Sequence, residues 1–344
     1  MRQPPLNAVN RDCSLSLEST MKAVSSYFSN LSEAFGSGWD RFWFTPSDAF
    51  PLSVIRVLTG LAALYYHMSF AADLTRWFGP DGLLTADNVQ RLIGPAAFRF
   101  SPLFFLDSSS ALWIYHVAGW VILVAFTAGW FTRVTNVLAL FVVLSYVHRA
   151  PMLIGPFEPV LTMVLAYLCL APSGAYLSVD RRRRKRQAEA AEAEPSLAAN
   201  ISLRLIQVHL AAFYLLMGLT MLAGQPWWSG EALWFLVART ESRLIDLTFL
   251  YPHPFVINAW THAVVAFELL FGVLIWHRLA RPLLLVLAVA IWVPLALVTG
   301  WLAFFAMLLI ANLAFAPPAW LRQCCARWCD DARPSPNAVT DEAV

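Results

Sequence analysis

Residues 281–298 read Arg-Pro-Leu-Leu-Leu-Val-Leu-Ala-Val-Ala-Ile-Trp-Val-Pro-Leu-Ala-Leu-Val, with no ionisable residue after Arg281. About 20 mainly apolar residues cross roughly 30 Å of hydrocarbon as a helix, so this stretch reads as a membrane span. The same ruler picks out 51–74, 111–131, 134–149, 152–176, 201–223, 256–276 and 301–317. The third is short, and tight turns at Thr132-Arg133 and Thr299-Gly300 join neighbouring segments. The expected fold class is therefore all-α, a polytopic integral membrane helix bundle of about eight transmembrane helices.

Composition agrees. Of 344 residues, 59% are hydrophobic and 13% charged, with 15 Trp and 24 Phe. Soluble chains carry about a quarter charged residues, so a soluble globular class is excluded. With 24 basic and 22 acidic residues the net charge is +2, too small to recruit nucleic acid. Lysine occurs only at Lys22 and Lys185. The cysteines (Cys13, Cys169, Cys324, Cys325, Cys329) have no regular spacing, which predicts neither a disulfide framework nor a metal site. No basic-then-apolar-then-small pattern opens the chain, so no cleavable signal peptide is expected.

Orientation follows from Asp180-Arg-Arg-Arg-Arg-Lys185-Arg186, because cytoplasmic loops carry the excess of basic residues. That places the 180–200 loop and both termini in the cytoplasm, 75–110 and 224–255 outside, and His277, Arg278 and Arg281 inside. The run lacks the aromatic or groove-reading partners of a nucleic-acid site and reads as a topology determinant or a contact to anionic headgroups. The Ala/Glu stretch 188–194 reads as a solvated, partly helical linker. Three regions result: an N-terminal segment (1–40), a transmembrane domain (41–320) and a C-terminal tail (321–344). Within the first, Leu17, Met21, Val24, Tyr27, Phe28, Leu31 and Phe35 fall at helical spacing, as in a helix lying on the inner membrane face or packed on the bundle.

Ionisable groups at membrane depth cost several kcal/mol and are the default functional candidates. Arg56 and Arg204, the latter with Gln207, sit near the inner leaflet, and His209 lies deeper. Glu268 either stays neutral for proton handling or pairs with Arg56 or Arg204. Toward the outer surface lie two clusters: Tyr146, His148 and Arg149 with Glu158, and Trp227, Trp228, Glu231 and Trp234. A histidine beside an arginine and a glutamate can combine acid/base chemistry with anion binding. The competing reading is that His148 and Arg149 cap a helix end and that the tryptophans form an interfacial belt.

Several segments resemble the HTTM domain family, the membrane module shared with vitamin K-dependent gamma-carboxylase. They are Trp43 to Pro51 with Arg56, Trp77-Phe-Gly-Pro-Asp-Gly-Leu-Leu84, Tyr146-Val-His148-Arg149, Ala171 to Asp180, and His209 through Tyr214 and Gly218-Leu219 to Trp234. The resemblance spans about 40–320 and implies the helical half of the carboxylase, in a bacterial plasma (inner) membrane. It also implies a lysine that deprotonates vitamin K hydroquinone after a Gly-Leu-x pattern. Here Gly218-Leu219-Thr220 leads to Met221, which cannot exchange a proton. The chain is thus expected to lack carboxylase activity and to hold a lipid or quinone-like ligand in an outward-facing cavity lined by His148, Arg149, Glu158 and the Trp227/Trp228 loop. A redox or proton-transfer enzyme acting on a quinone, with His148 or His209 as base and Glu268 as partner, is the alternative reading. A small-solute transporter using Arg56, Arg204 and Glu268 is a third.

Overall fold

The computed structural model describes residues 6–93, 100–186, 193–240 and 243–326. It divides into two compact units, 1–45 and 46–344. In the first, one long helix, α1 (Leu6–Phe44), leaves Tyr27, Phe28, Leu31 and Phe35 exposed, with the Phe35 and Trp39 rings stacked. The tail beyond Ala326 and most of the Ala/Glu stretch lie outside the described residues.

Among its described residues the second unit consists of helices joined by turns and loops, with one isolated bridge between Ser47 and Ser196. Its main helices are α2 (Phe50–Ser69), α3 (Ser109–Ala128), α4 (Thr132–Arg149), α5 (Phe157–Leu170), α6 (Val179–Arg186), α7 (Leu197–Leu222), α8 (Pro254–Leu274), α9 (Ala280–Thr299), α10 (Leu302–Asn312) and α11 (Pro318–Cys325). Each of the eight apolar segments overlaps one of them. Five are long and apolar enough to cross a membrane: α2 continued to Phe78, α3, α7, α8 and α9. The segment expected at 152–176 shrinks to the 14 residues of α5, because Pro156 precedes its first turn and Pro172 follows its last. The last segment is short too, ending as α10 at Asn312.

Helix α9 shows the lipid logic. Leu284, Ala288, Trp292 and Leu295 are buried against neighbours, while Leu283, Val286, Val289 and Val293 are exposed and equally apolar. A helix apolar all round belongs in hydrocarbon, where an outward valine costs nothing. Between helices the hydrophobic drive is weak in lipid, so close backbone approach matters more. At Gly272 of α8, a Cβ would lie 2.7 Å from Leu215 Cβ and 3.0 Å from the Ala211 carbonyl of α7.

A buried polar network joins the other helices. Arg56 of α2, fully buried, donates through Nη1 to the Ser173 carbonyl at 2.8 Å and through Nη2 to that of Leu177. Ser53 adds a bond to the same Ser173 carbonyl, and Asn136 of α4 donates to the Leu168 carbonyl and to Ser173 Oγ. Asp180, at the start of α6, accepts the backbone N–H groups of Phe131 and Thr132. Near the start of α2, Arg322 of α11 pairs with Asp48 at 2.7 Å and lies over the Phe50 and Tyr176 rings. Burial works against the Arg322 charge, yet the hydrogen bonds that the guanidinium donates to Asp48 and Tyr176 hold it above the ordinary arginine range.

Replacing Gly272 by Leu should force α7 and α8 apart. Thermal unfolding of the purified protein in detergent should show a loss of about 1–3 kcal/mol, the usual cost of overpacking, whereas Gly36→Leu, at an open position, should change little.

Candidate functional site

Arg149 closes α4 and is 1% exposed, yet no carboxylate pairs with it among the described residues. Its guanidinium sits 5.6 Å from the centroid of Phe78 and 5.0 Å from that of Phe104, and Nη2 donates to the Leu84 carbonyl at 2.6 Å. Nε and Nη1 are buried without a partner. The ring faces offset part of the desolvation cost, but two unused donors on a buried cation remain expensive.

The segment 77–84 is folded to serve this arginine. Gly79 N–H donates to the Thr75 carbonyl, Leu83 N–H to Arg76 and Leu84 N–H to Trp77, a compact loop that sets the Phe78 face and the Leu84 carbonyl against one guanidinium. A second strap comes from 100–105. Ser101 caps the short turn Pro102–Phe105 through the Leu103 N–H and donates its hydroxyl to the Ser145 carbonyl, and this turn supplies Phe104.

One helical turn before Arg149, Tyr146 is likewise buried and edges onto Phe78. Its hydroxyl bonds His116 Nδ1 at 2.9 Å. The His116 ring stacks on His67 at 4.1 Å and 11°, and His67 Nε2 donates to the His116 carbonyl. His116 Nε2 is buried and unpartnered. Close approach of α2 and α3 makes this stack possible, because a Cβ on Gly119 would lie 2.9 Å from His67 Cε1. Beside it, Tyr115 donates to Ser145 Oγ. The result is a Tyr146–His116–His67 chain adjoining a cation with two free donors. It suits an acceptor-bearing ligand head far better than a metal ion, which a bare guanidinium would repel.

The other sequence candidates take different places. His148 is half-buried, bonded to the Phe100 carbonyl, and helps hold the 100–105 strap. Glu158 turns back on the Gly155 N–H at the start of α5, a helix-end role that suits the dipole. Trp227 is partly buried, Trp228 is exposed with its indole on the Leu222 carbonyl, and Glu231 is exposed. That loop is tied to α8 through Asn258 and the Ser229 carbonyl, and among the described residues no hydrogen bond or ion pair joins it to Arg149.

His209 lies on an exposed face, bonded to Tyr167. Glu268 pairs with neither Arg56 nor Arg204. Arg56 is spent on the Ser173 and Leu177 carbonyls, and Arg204 reaches Gln207 at 2.9 Å, which in turn holds the Ala314 carbonyl. Glu268, 3% exposed, instead faces the Tyr214 group, where Trp292 and Asn312 both donate to the tyrosine hydroxyl, and its Oε2 has no partner. Arg56, Arg204 and Glu268 are thus engaged with different groups. Sequence reading missed His67 and His116, although a histidine inside an apolar span is itself the signal.

No family model, curated protein or solved structure matches this chain.

The two buried arginines should respond oppositely to Met. Arg56→Met strands the carbonyls of Ser173 and Leu177 and should cost about 3 kcal/mol or more. Arg149→Met removes an uncompensated buried charge and should leave the melting temperature unchanged or raised. Thermal unfolding of both variants checks the sign.

Proposed function

We propose that this chain is a multi-pass membrane protein of the HTTM, gamma-carboxylase-like type. In this reading it crosses a bacterial plasma membrane eight times with both termini in the cytoplasm. It binds the polar head of a quinone-like or lipid ligand at its outer end and has no carboxylase activity. The observation that carries the ligand reading is the pair of unpartnered, buried donors on Arg149. A protein that only needed to fold would gain by losing that charge, so its retention points to an acceptor brought by a ligand. Two segments on which the resemblance rests, 77–84 and 146–149, meet at this arginine, which supports treating them as one site.

The missing base supports the negative half of the reading. Met221 lies near the end of α7, partly buried among apolar neighbours. Lys185 belongs to the basic helix α6, which is bonded to the α3–α4 turn. A second reading, proton transfer to or from a quinone, is favoured by one observation, the free Nε2 of His116 at the end of the imidazole–phenol chain.

Titration of the detergent-purified protein with a short-chain ubiquinone should quench tryptophan fluorescence saturably. Arg149→Met should weaken binding at least about tenfold, the worth of a hydrogen bond to a charged group. Equal binding by that variant, or none by the parent, overturns the ligand reading. Hydroquinone-dependent carboxylation of a glutamyl peptide should stay at background, and robust turnover would overturn the assignment of Met221. On a cysteine-free background, a cysteine at Ser229 should react with an impermeant maleimide in intact cells and one at Arg182 should not.

A further inference from the structure

Away from Arg149, the outward face of α3 carries an open groove of about 430 Å³. Such a volume lies within the roughly 300–1,000 Å³ of small-molecule sites. Trp120, Val124 and Ala128 recur at one-turn spacing, with Ala125 beside them, and make an apolar stripe with a floor of small side chains. Trp130, just past the helix end, forms the far wall, and Val179 and Arg183, one turn apart on α6, close the mouth. Both tryptophans are substantially exposed. No acidic or other acceptor side chain lines the groove, and its donors are the Arg183 guanidinium and the two indoles.

The position of Arg183 is built rather than incidental. Asp180 receives the Phe131 and Thr132 N–H groups and donates its own N–H to the Gly129 carbonyl, which locks α6 to the α3–α4 turn. Within the same run, Arg181 is spent on the Ala175 carbonyl and the Tyr176 ring, and Arg184 reaches the Asp180 carbonyl. Arg183 makes no hydrogen bond or ion pair among the described residues. A free cation at the mouth of an apolar slot on a membrane-type helix complements a molecule with a long hydrocarbon chain and an anionic head. The surrounding basic run draws such lipids to the cytoplasmic leaflet. Indole rings with one polar edge settle at that depth.

We propose that the α3–α6 groove is a binding site for an anionic phospholipid, with an acyl chain on the Ala125/Ala128 floor between the two tryptophans and the phosphate at Arg183. This site is separate from the Arg149 cluster and shares with the function proposed above only the membrane setting and the cytoplasmic side of α6.

Native mass spectrometry of the full chain released from mild detergent, with phosphatidylglycerol or phosphatidylcholine of identical acyl chains, tests it. Phosphatidylglycerol adducts should persist at activation energies that strip phosphatidylcholine. Arg183→Gln should lower phosphatidylglycerol occupancy about fivefold, the share of one basic residue at an anionic surface. Arg186→Gln, in the same run but off the groove, should leave it unchanged. Ala125→Phe, which fills the floor, should reduce both lipids, with its melting temperature confirming that it is folded. Equal retention of the two lipids, equal losses in Arg183→Gln and Arg186→Gln, or displacement of the lipid by millimolar inorganic phosphate would each overturn the proposal.

Discussion

The guanidinium of Arg56 holds the segment between α5 and α6 in place, and much of the described bundle depends on it. Backbone carbonyls that leave a helix in hydrocarbon must find donors within the protein. After Leu170 the chain turns through Pro172, and the carbonyls of Ser173 and Leu177 point inward to meet Arg56, assisted by Ser53. Leu177 sits at φ 51°. That is a costly conformation for a residue with a side chain, and it persists where surrounding bonds over-determine it. Asp180 is the next link, capping the α3–α4 turn with its carboxylate. Thus α2, α4, α5 and α6 are fixed to one another by polar groups at one end of the bundle rather than by apolar packing alone.

Two buried arginines of similar exposure have opposite accounts. Arg56 has its charge spread over two carbonyl dipoles, lies within the field of Asp180 and leaves one buried donor, Nε, without a partner. Arg149 has one carbonyl, two ring faces and no carboxylate. In a medium of low polarity the first arrangement stabilises and the second does not. Sites that a chain keeps at a cost in stability are where local rules fail for a functional reason. The bundle thereby separates a polar network with most of its donors used from one with two donors unused.

Much of this architecture is legible in hydropathy alone, since lipid demands apolar residues on every face of a helix and the pattern needs no tertiary knowledge. Helix lengths were less legible: whether 152–176 is one helix depends on what Pro156 and Pro172 do to its ends. Arg149 could be picked out as an ionisable residue near a span. Its partners could not, because Phe78, Leu84 and Phe104 come from loops whose folding depends on hydrogen bonds between non-periodic positions. His67 and His116 lie far apart in the chain and meet only because Gly119 admits the imidazole. The choice between the two readings of Glu268 depends on the same kind of information. Spacing places it on α8 but not the direction it faces, and the close α7–α8 contact turns it toward Tyr214.

The composition of basic residues sharpens the contrast with carboxylase chemistry. A catalytic lysine must change protonation state near neutrality, whereas an arginine stays charged and acts as a fixed electrostatic and hydrogen-bonding group. The basic side chains that the structure singles out for long-lived positive charge are all arginine: Arg56, Arg149, Arg183 and Arg322. At the position where the resemblance expects a base, it has a thioether. A set of permanent cations can hold, orient and select anionic or carbonyl-bearing heads, but it cannot take a proton from one. Next to the Arg149 cluster, His116 and Tyr146 are groups that can exchange a proton, and their hydrogen bond is already in place.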